Sequence, residues 1–283
     1  MAFRQILRSF YHTQIKELDF HNSKKAARAI NEWVETNTDD MFDEIVAPDL
    51  DLTGNTMLYL FSAVYFKGDF QSPFKAALTK PAQFWVSEHQ SVEVQMMQQT
   101  AEMIYAAVEE LGCTIVELPY GTGRMVMQVL VPHETLGVAK LEEKMVKTKL
   151  QDVINNKIQL VTVELSLPRF RLSLGLRLSQ VLKGLGMEDL FSADKADLSG
   201  ITGSRLLHVT EVKQRVFLQV TEGDSKAAAS PGVKTEASDG PVMEVTADRP
   251  FIFLVRDTLT GCLLYQGRVV NPLDQPVMED SKL

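Results

Sequence analysis

Two hydrophobic runs that read as strands, residues 209–220 and 250–255, are separated by a long stretch of small, polar and charged residues at 222–241. A connection of roughly twenty residues with no apolar rhythm is uncommon inside a compact domain, and where it occurs it is functional or unfolded. This one has a parity. Across 224–238 the charged residues Asp224, Lys226, Lys234 and Glu236 all fall on even positions. The odd positions hold Ser225, Ala227, Ala229, Pro231, Val233, Thr235 and Ala237, uncharged and mostly small. Successive side chains of a strand point to opposite faces, so the stretch is able to become a strand with its charges on one side. Four charges align this way by chance about one time in eight, so the surrounding sequence has to carry the argument.

That surrounding sequence reads as one mixed α+β domain over 1–283, rich in antiparallel strands. Ala26, Ala27, Ile30, Trp33 and Val34 form the apolar stripe of a helix over 23–35. The near-continuous apolar run 57–66 predicts a central strand covered on both faces. Residues 113–118 and 125–131 predict a hairpin around Tyr120-Gly-Thr-Gly123, and 137–155 a helix. In 161–167 Val161, Val163, Leu165 and Leu167 alternate with Thr162, Glu164 and Ser166, the pattern of a half-buried strand. A short helix over 176–183 stops at Gly184 or Gly186, and strands over 251–256 and 262–270 close the chain.

Composition narrows the function. With 45% hydrophobic and 23% charged residues the chain is globular, and a formal net charge of -8 argues against general nucleic-acid binding. No apolar stretch is long enough to span a bilayer. Cys113 and Cys262 lie in apolar runs and predict two buried free thiols. No nucleophile elbow, His-Glu-x-x-His helix, Cys-x-x-Cys pair or phosphate-cradling loop is present, and His12, His21, His89, His133 and His208 are scattered singly. The residues predict neither an enzyme nor a metal or cofactor site.

A series of motifs, in one order along nearly the whole chain, resembles the serpins. They include Ala27-Arg-Ala-Ile-Asn-Glu-Trp-Val34, Ala63-Val-Tyr-Phe-Lys-Gly68 with Pro73 and Phe74, and Val94-Gln-Met-Met97. Glu117-Leu-Pro-Tyr120, Leu167-Pro-Arg-Phe170, Leu185-Gly-Met187 and Ala196-Asp-Leu-Ser-Gly-Ile201 follow, and Asp248-Arg-Pro-Phe251 with Gly267-Arg-Val-Val-Asn-Pro272 completes the set. The resemblance implies an exposed reactive loop at 222–241, cut by a serine protease and then inserted into the main sheet as a strand. It implies a monomeric inhibitor with no cofactor, whose partner is the protease. A non-inhibitory carrier, chaperone or scaffold of the same family, or a truncated product without activity, are the rival readings. An extracellular setting follows from the resemblance, but the start shows no signal-peptide hydrophobic region and a cytoplasmic one stays open. Phe3, Ile6, Leu7, Phe10 and Tyr11 follow the rhythm of an amphipathic helix from the first residues, which resembles the middle of a serpin; the N-terminal part is expected to be missing.

Residue by residue, the hinge of the loop maps to Glu222, Gly223, Asp224, Ser225, Lys226, Ala227, Ala228, Ala229 and Ser230. Asp224 stands where the family usually has its glycine, Lys226 replaces a usual Glu, and Pro231 has no N–H to give a central strand. The family's spacing puts the scissile bond near Ala237, Ser238 or Asp239, residues that suit a small, elastase-like pocket. The sheet-opening region maps to Ser62, Phe70 and Gln214, where the family commonly has Asn, Trp and His.

Overall fold

The computed structural model describes residues 2–11, 13–38, 42, 45–148, 157–223 and 241–274. They divide into two compact units, one within 2–66 and 172–218, the other within 67–171 and 219–274.

In the first unit, helix α1 (Ala2–Phe10) carries the expected amphipathic spacing, yet Ile6, Phe10 and Tyr11 stay exposed. Helix α2 (Ser23–Asn37) starts where the Asn22 side chain accepts the Lys25 N–H at 3.2 Å. It buries Ala26, Ala27, Ile30 and Val34, two of them small enough to bring the helix close to the sheet. Asn31 then fixes the chain that follows: its Oδ1 accepts from the N–H groups of Ile45 and Val46, and its Nδ2 donates to the Val46 carbonyl. A short helix α3 (Pro48–Asp51) leads to strand β1 (Tyr59–Lys67). Facing α2 are Phe61, Ala63 and Tyr65 of β1 and the fully buried Phe217, with Trp33 set edge-on to Phe61 at 5.5 Å.

β1 belongs to a three-stranded sheet with β8 (Glu211–Val220) in the middle and β7 (Phe170–Arg177) on the other side. The expectation of a doubly covered central strand at 57–66 is corrected: among the described residues β1 ends its sheet, and Leu60 and Ser62 are exposed. An apolar run does not tell an edge from a centre, because strand order is set by partners far along the chain. Helix α5 (Ser179–Gly184) follows β7 directly, so Leu176 lies in a strand and not in the helix expected from 176. α6 (Ser199–Thr202) completes the unit's helices among the described residues.

The second unit is built on β3 (Ser91–Val108), an 18-residue strand. Its first part pairs with β2 (Lys80–Trp85), its last part with β4 (Cys113–Tyr120), and its other edge with β6 (Gln159–Pro168), all antiparallel. β4 and β5 (Met125–Pro132) form the expected hairpin, whose turn uses Gly121 and Gly123 at φ +48° and +83°, a region that side chains with a Cβ avoid. β10 (Phe251–Asp257) joins β5 to β11 (Leu263–Val269), and β9 (Met243–Thr246) adds to β6 in parallel. The order β11-β10-β5-β4-β3-β6-β9, with β2 on β3, is antiparallel at every pairing but the last. α4 (Val138–Lys147) covers a core of Val108, Ile115, Leu130, Ile252 and Leu254. Cys113 is buried in it, and burial pushes its thiol up to about 12. Cys262 is exposed, against expectation, since β11 ends the sheet order and turns Leu263 and Leu264 outward too.

Candidate functional site: the hinge of the long loop

β8 ends at Val220, and two residues later the chain reaches Glu222, the first position of the expected hinge. Glu222 is buried, and its carboxylate is held from two directions. Arg169, the single residue between β6 and β7, donates Nε to both Oε1 and Oε2 at 2.7 Å and Nη2 to Oε1 at 2.5 Å. The Thr79 hydroxyl, just ahead of β2, donates to Oε1 at 2.5 Å. Charge-assisted bonds of this kind are roughly twice as strong as neutral ones. Arg169 is itself positioned, its N–H donating to the Gln95 carbonyl of β3 at 2.9 Å. Burial alone raises the Glu222 pKa, but the hydrogen bonds from Arg169 and Thr79 and the Arg169 charge outweigh it, and the carboxyl titrates below its usual range.

Gly223 follows with φ +92°, a left-handed conformation that L side chains avoid. A Cβ there would also meet Asp69 Oδ1 at 3.1 Å and the Pro73 ring at 3.8 Å. The glycine displaced relative to the family pattern is therefore the residue that turns the chain out of its anchor. The other expected hinge residues, Asp224, Ser225, Lys226, Ala227, Ala228, Ala229 and Ser230, with Pro231 and the expected scissile residues Ala237, Ser238 and Asp239, lie outside the described residues.

The residues expected to open the sheet fall in both units. Ser62 and Gln214 lie on neighbouring strands: Thr210 donates its N–H to the Leu58 carbonyl at 2.9 Å, and each residue stands four positions further along its own strand. Ser62 is exposed and Gln214 half-buried, and among the described residues no side-chain hydrogen bond joins them. Phe70 belongs to the second unit. It is buried, bridges the backbone of Tyr120, stacks on that ring at 4.6 Å and meets Phe74 edge-on at 5.8 Å. It fills the place of a larger aromatic with ring packing alone and no N–H donor.

Arg169, Thr79 and Asp69 went unrecognised in the sequence. Arg169 lies inside one of the motifs quoted above; for Thr79 and Asp69 no sequence signal exists, since their roles come from the fold.

These features define a class: an α+β protein whose middle strand leads to a buried, doubly held glutamate and a left-handed glycine. The profile of the family described as "Serpin (serine protease inhibitor)" matches residues 1–272, and the chain belongs to that family. It is 34% identical to human Serpin B3 over 270 residues, covering 94% of this chain and 69% of the relative. It is 34% identical to the human leukocyte elastase inhibitor over 269 residues, covering 93% and 71%. The crystal structure of uncleaved ovalbumin matches with a TM-score of 0.85 and 28% identity, over 96% of this chain and 69% of the other. The serpin fold is thereby established. Nothing in these likenesses speaks for secretion.

Proposed function

We propose that this protein inhibits a serine endopeptidase as a suicide substrate: the protease cuts the 222–241 loop, and the freed segment enters the three-stranded sheet between β1 and β8. The chain's membership of a family of serine protease inhibitors supports inhibition in general. The observation that carries the finer reading is the position of β8, the middle strand, whose end runs within two residues into the Glu222 anchor and the left-handed Gly223. A segment leaving β8 there has to reverse to lie beside it, and a positive φ directly before the small-residue run supplies part of that reversal. The alternating charges of 224–238 keep one face of the new strand uncharged. The inhibitor supplies no catalytic group; what it supplies is conformational free energy released on insertion.

An elastase-like enzyme is the proposed partner of the monomer. Ala237 and Ser238 suit a small pocket, and one relative bears the name leukocyte elastase inhibitor. The test mixes the full chain with elastase-like and trypsin-like proteases and looks for an SDS-stable covalent complex. Cleavage at 237–239 with complex formation supports the reading. Cleavage by every enzyme without a complex rejects trapping and favours a carrier or scaffold role.

A further inference from the structure

At the opposite end of β8 from the hinge, a charge cluster joins the segment ahead of β1 to β8 and β7. Asp51 closes α3, and its side chain is only 1% exposed. Its Oδ2 accepts Lys213 Nζ at 2.8 Å and the Ala47 N–H at 2.8 Å, and its Oδ1 accepts Arg177 Nη2 at 2.5 Å. Lys213, at the third position of β8, is 5% exposed. Arg177, the last residue of β7, also reaches Glu211 Oε2 at 3.4 Å, and Glu211 in turn takes the Ser179 hydroxyl. Tyr59, the first residue of β1, is buried beside this group with its hydroxyl unbonded to any partner among the described residues. Burial first, then the charges of Asp51 and Glu211, push its pKa up.

Two more bonds fasten the same end. The Met57 N–H donates to Thr210 Oγ1 and the Thr210 N–H to the Leu58 carbonyl, both at 2.9 Å. The chain leading into β1 is thus tied to β8 at Asp51, and at Met57 and Leu58 to Thr210, the residue just ahead of β8. A strand inserted between β1 and β8 would widen their separation by one strand spacing, about 4.8 Å. The 2.8 Å contact between Lys213 and Asp51 cannot span that gap if Asp51 moves with β1. Breaking it would leave at least one ion buried without its partner, which is strongly unfavourable.

We propose that the Asp51–Lys213 pair is a clasp closing the far end of the β1–β8 seam, so that the seam opens from the hinge end and the clasp limits how fast and how far a loop strand enters. The proposal rests on the insertion reading above and adds to it the residues that govern insertion depth. Neither Asp51 nor Lys213 belongs to the hinge, the scissile stretch or the sheet-opening positions.

The probe is a synthetic peptide of residues 224–237, added in excess to the full chain, with uptake followed by native electrophoresis and by the rise in melting temperature. The D51N/K213M double variant removes both charges and leaves no orphaned ion between them; Lys213→Arg keeps the charge. Uptake is expected to be at least about tenfold faster in the double variant than in the parent, with Lys213→Arg close to the parent. Measurable uptake at the parent's rate in a cooperatively folding double variant overturns the clasp and leaves the insertion reading standing. No uptake by parent or variant, with no rise in melting temperature after loop nicking, overturns both. Amide exchange on the unmodified chain gives a check independent of any variant's folding. Residues 211–214 are expected to exchange more slowly than residues 217–220, and the reverse order overturns the clasp.

Discussion

The two ends of β8 hold charge in opposite ways. At the hinge, Glu222 is 9% exposed but its partner Arg169 is 43% exposed; at the far end, Asp51 and Lys213 are 1% and 5% exposed. When a pair with one wet partner separates, water replaces part of what is lost. When a dry pair separates, each ion stays in a poorly polarisable interior without its counter-charge. The same acid–base chemistry therefore makes a releasable fastening at one end of the strand and a fixed one at the other. Under the proposed insertion, that asymmetry lets the sheet part first at the Glu222 end.

The contrast breaks most readily at Asp51. Asp51→Ala strands Lys213 in the interior and is expected to lower unfolding free energy by about 3–5 kcal/mol in urea titration. A loss under about 1 kcal/mol would make the far end no stronger than a surface pair and erase the difference. Arg169→Ala is expected to cost less, about 2 kcal/mol, and to act locally. Its clearer readout is faster nicking within 224–240 by a broad-specificity protease, at an unchanged rate elsewhere. Gly223→Ala places a Cβ against Asp69 at φ +92° and should cost about 1–2 kcal/mol, with Gly223→Asn milder because Asn tolerates that region. Thr79→Val removes one donor of several and should cost about 1 kcal/mol.

Acid sharpens the same comparison. The Glu222 carboxyl titrates below its unfolded value, so the stability it contributes is present above the ordinary carboxylate range and is lost as pH falls through the depressed folded value. Nicking of the loop by an acid-active protease should rise as pH drops below about 4. Arg169→Gln should flatten that rise, since it removes the charge and most of the hydrogen bonds that lower the pKa. A rise of equal steepness in parent and variant would mean that the hinge is not held through Glu222.

Much of this was readable along the chain. The α2 stripe emerges as drawn, with Ala26, Ala27, Ile30 and Val34 buried and Trp33 half-buried, because a 3.6-residue period is a local property. The hairpin around 120–123 likewise needs only its own turn chemistry. Val163, Leu165 and Leu167 are buried as their alternation predicts, but Thr162 and Ser166 are buried too, while Glu164 between them is exposed. The short β9, the strand pair β2 and β3, and the exposure of Cys262 were not foreseen. Each depends on which strand lies alongside, and residues 80–108 carry too mixed a pattern to announce an 18-residue strand.

From residues alone came the family and the mixed α+β class, because motif order and periodicity are written in adjacent positions. Tertiary structure alone decided which residues hold Glu222 and which pair with Asp51. Arg169 reaches Glu222 across 53 positions, Thr79 across 143, and Lys213 reaches Asp51 across 162. Whether such a pair is wet or dry depends on the packing around it, and that packing exists only once the strands have met.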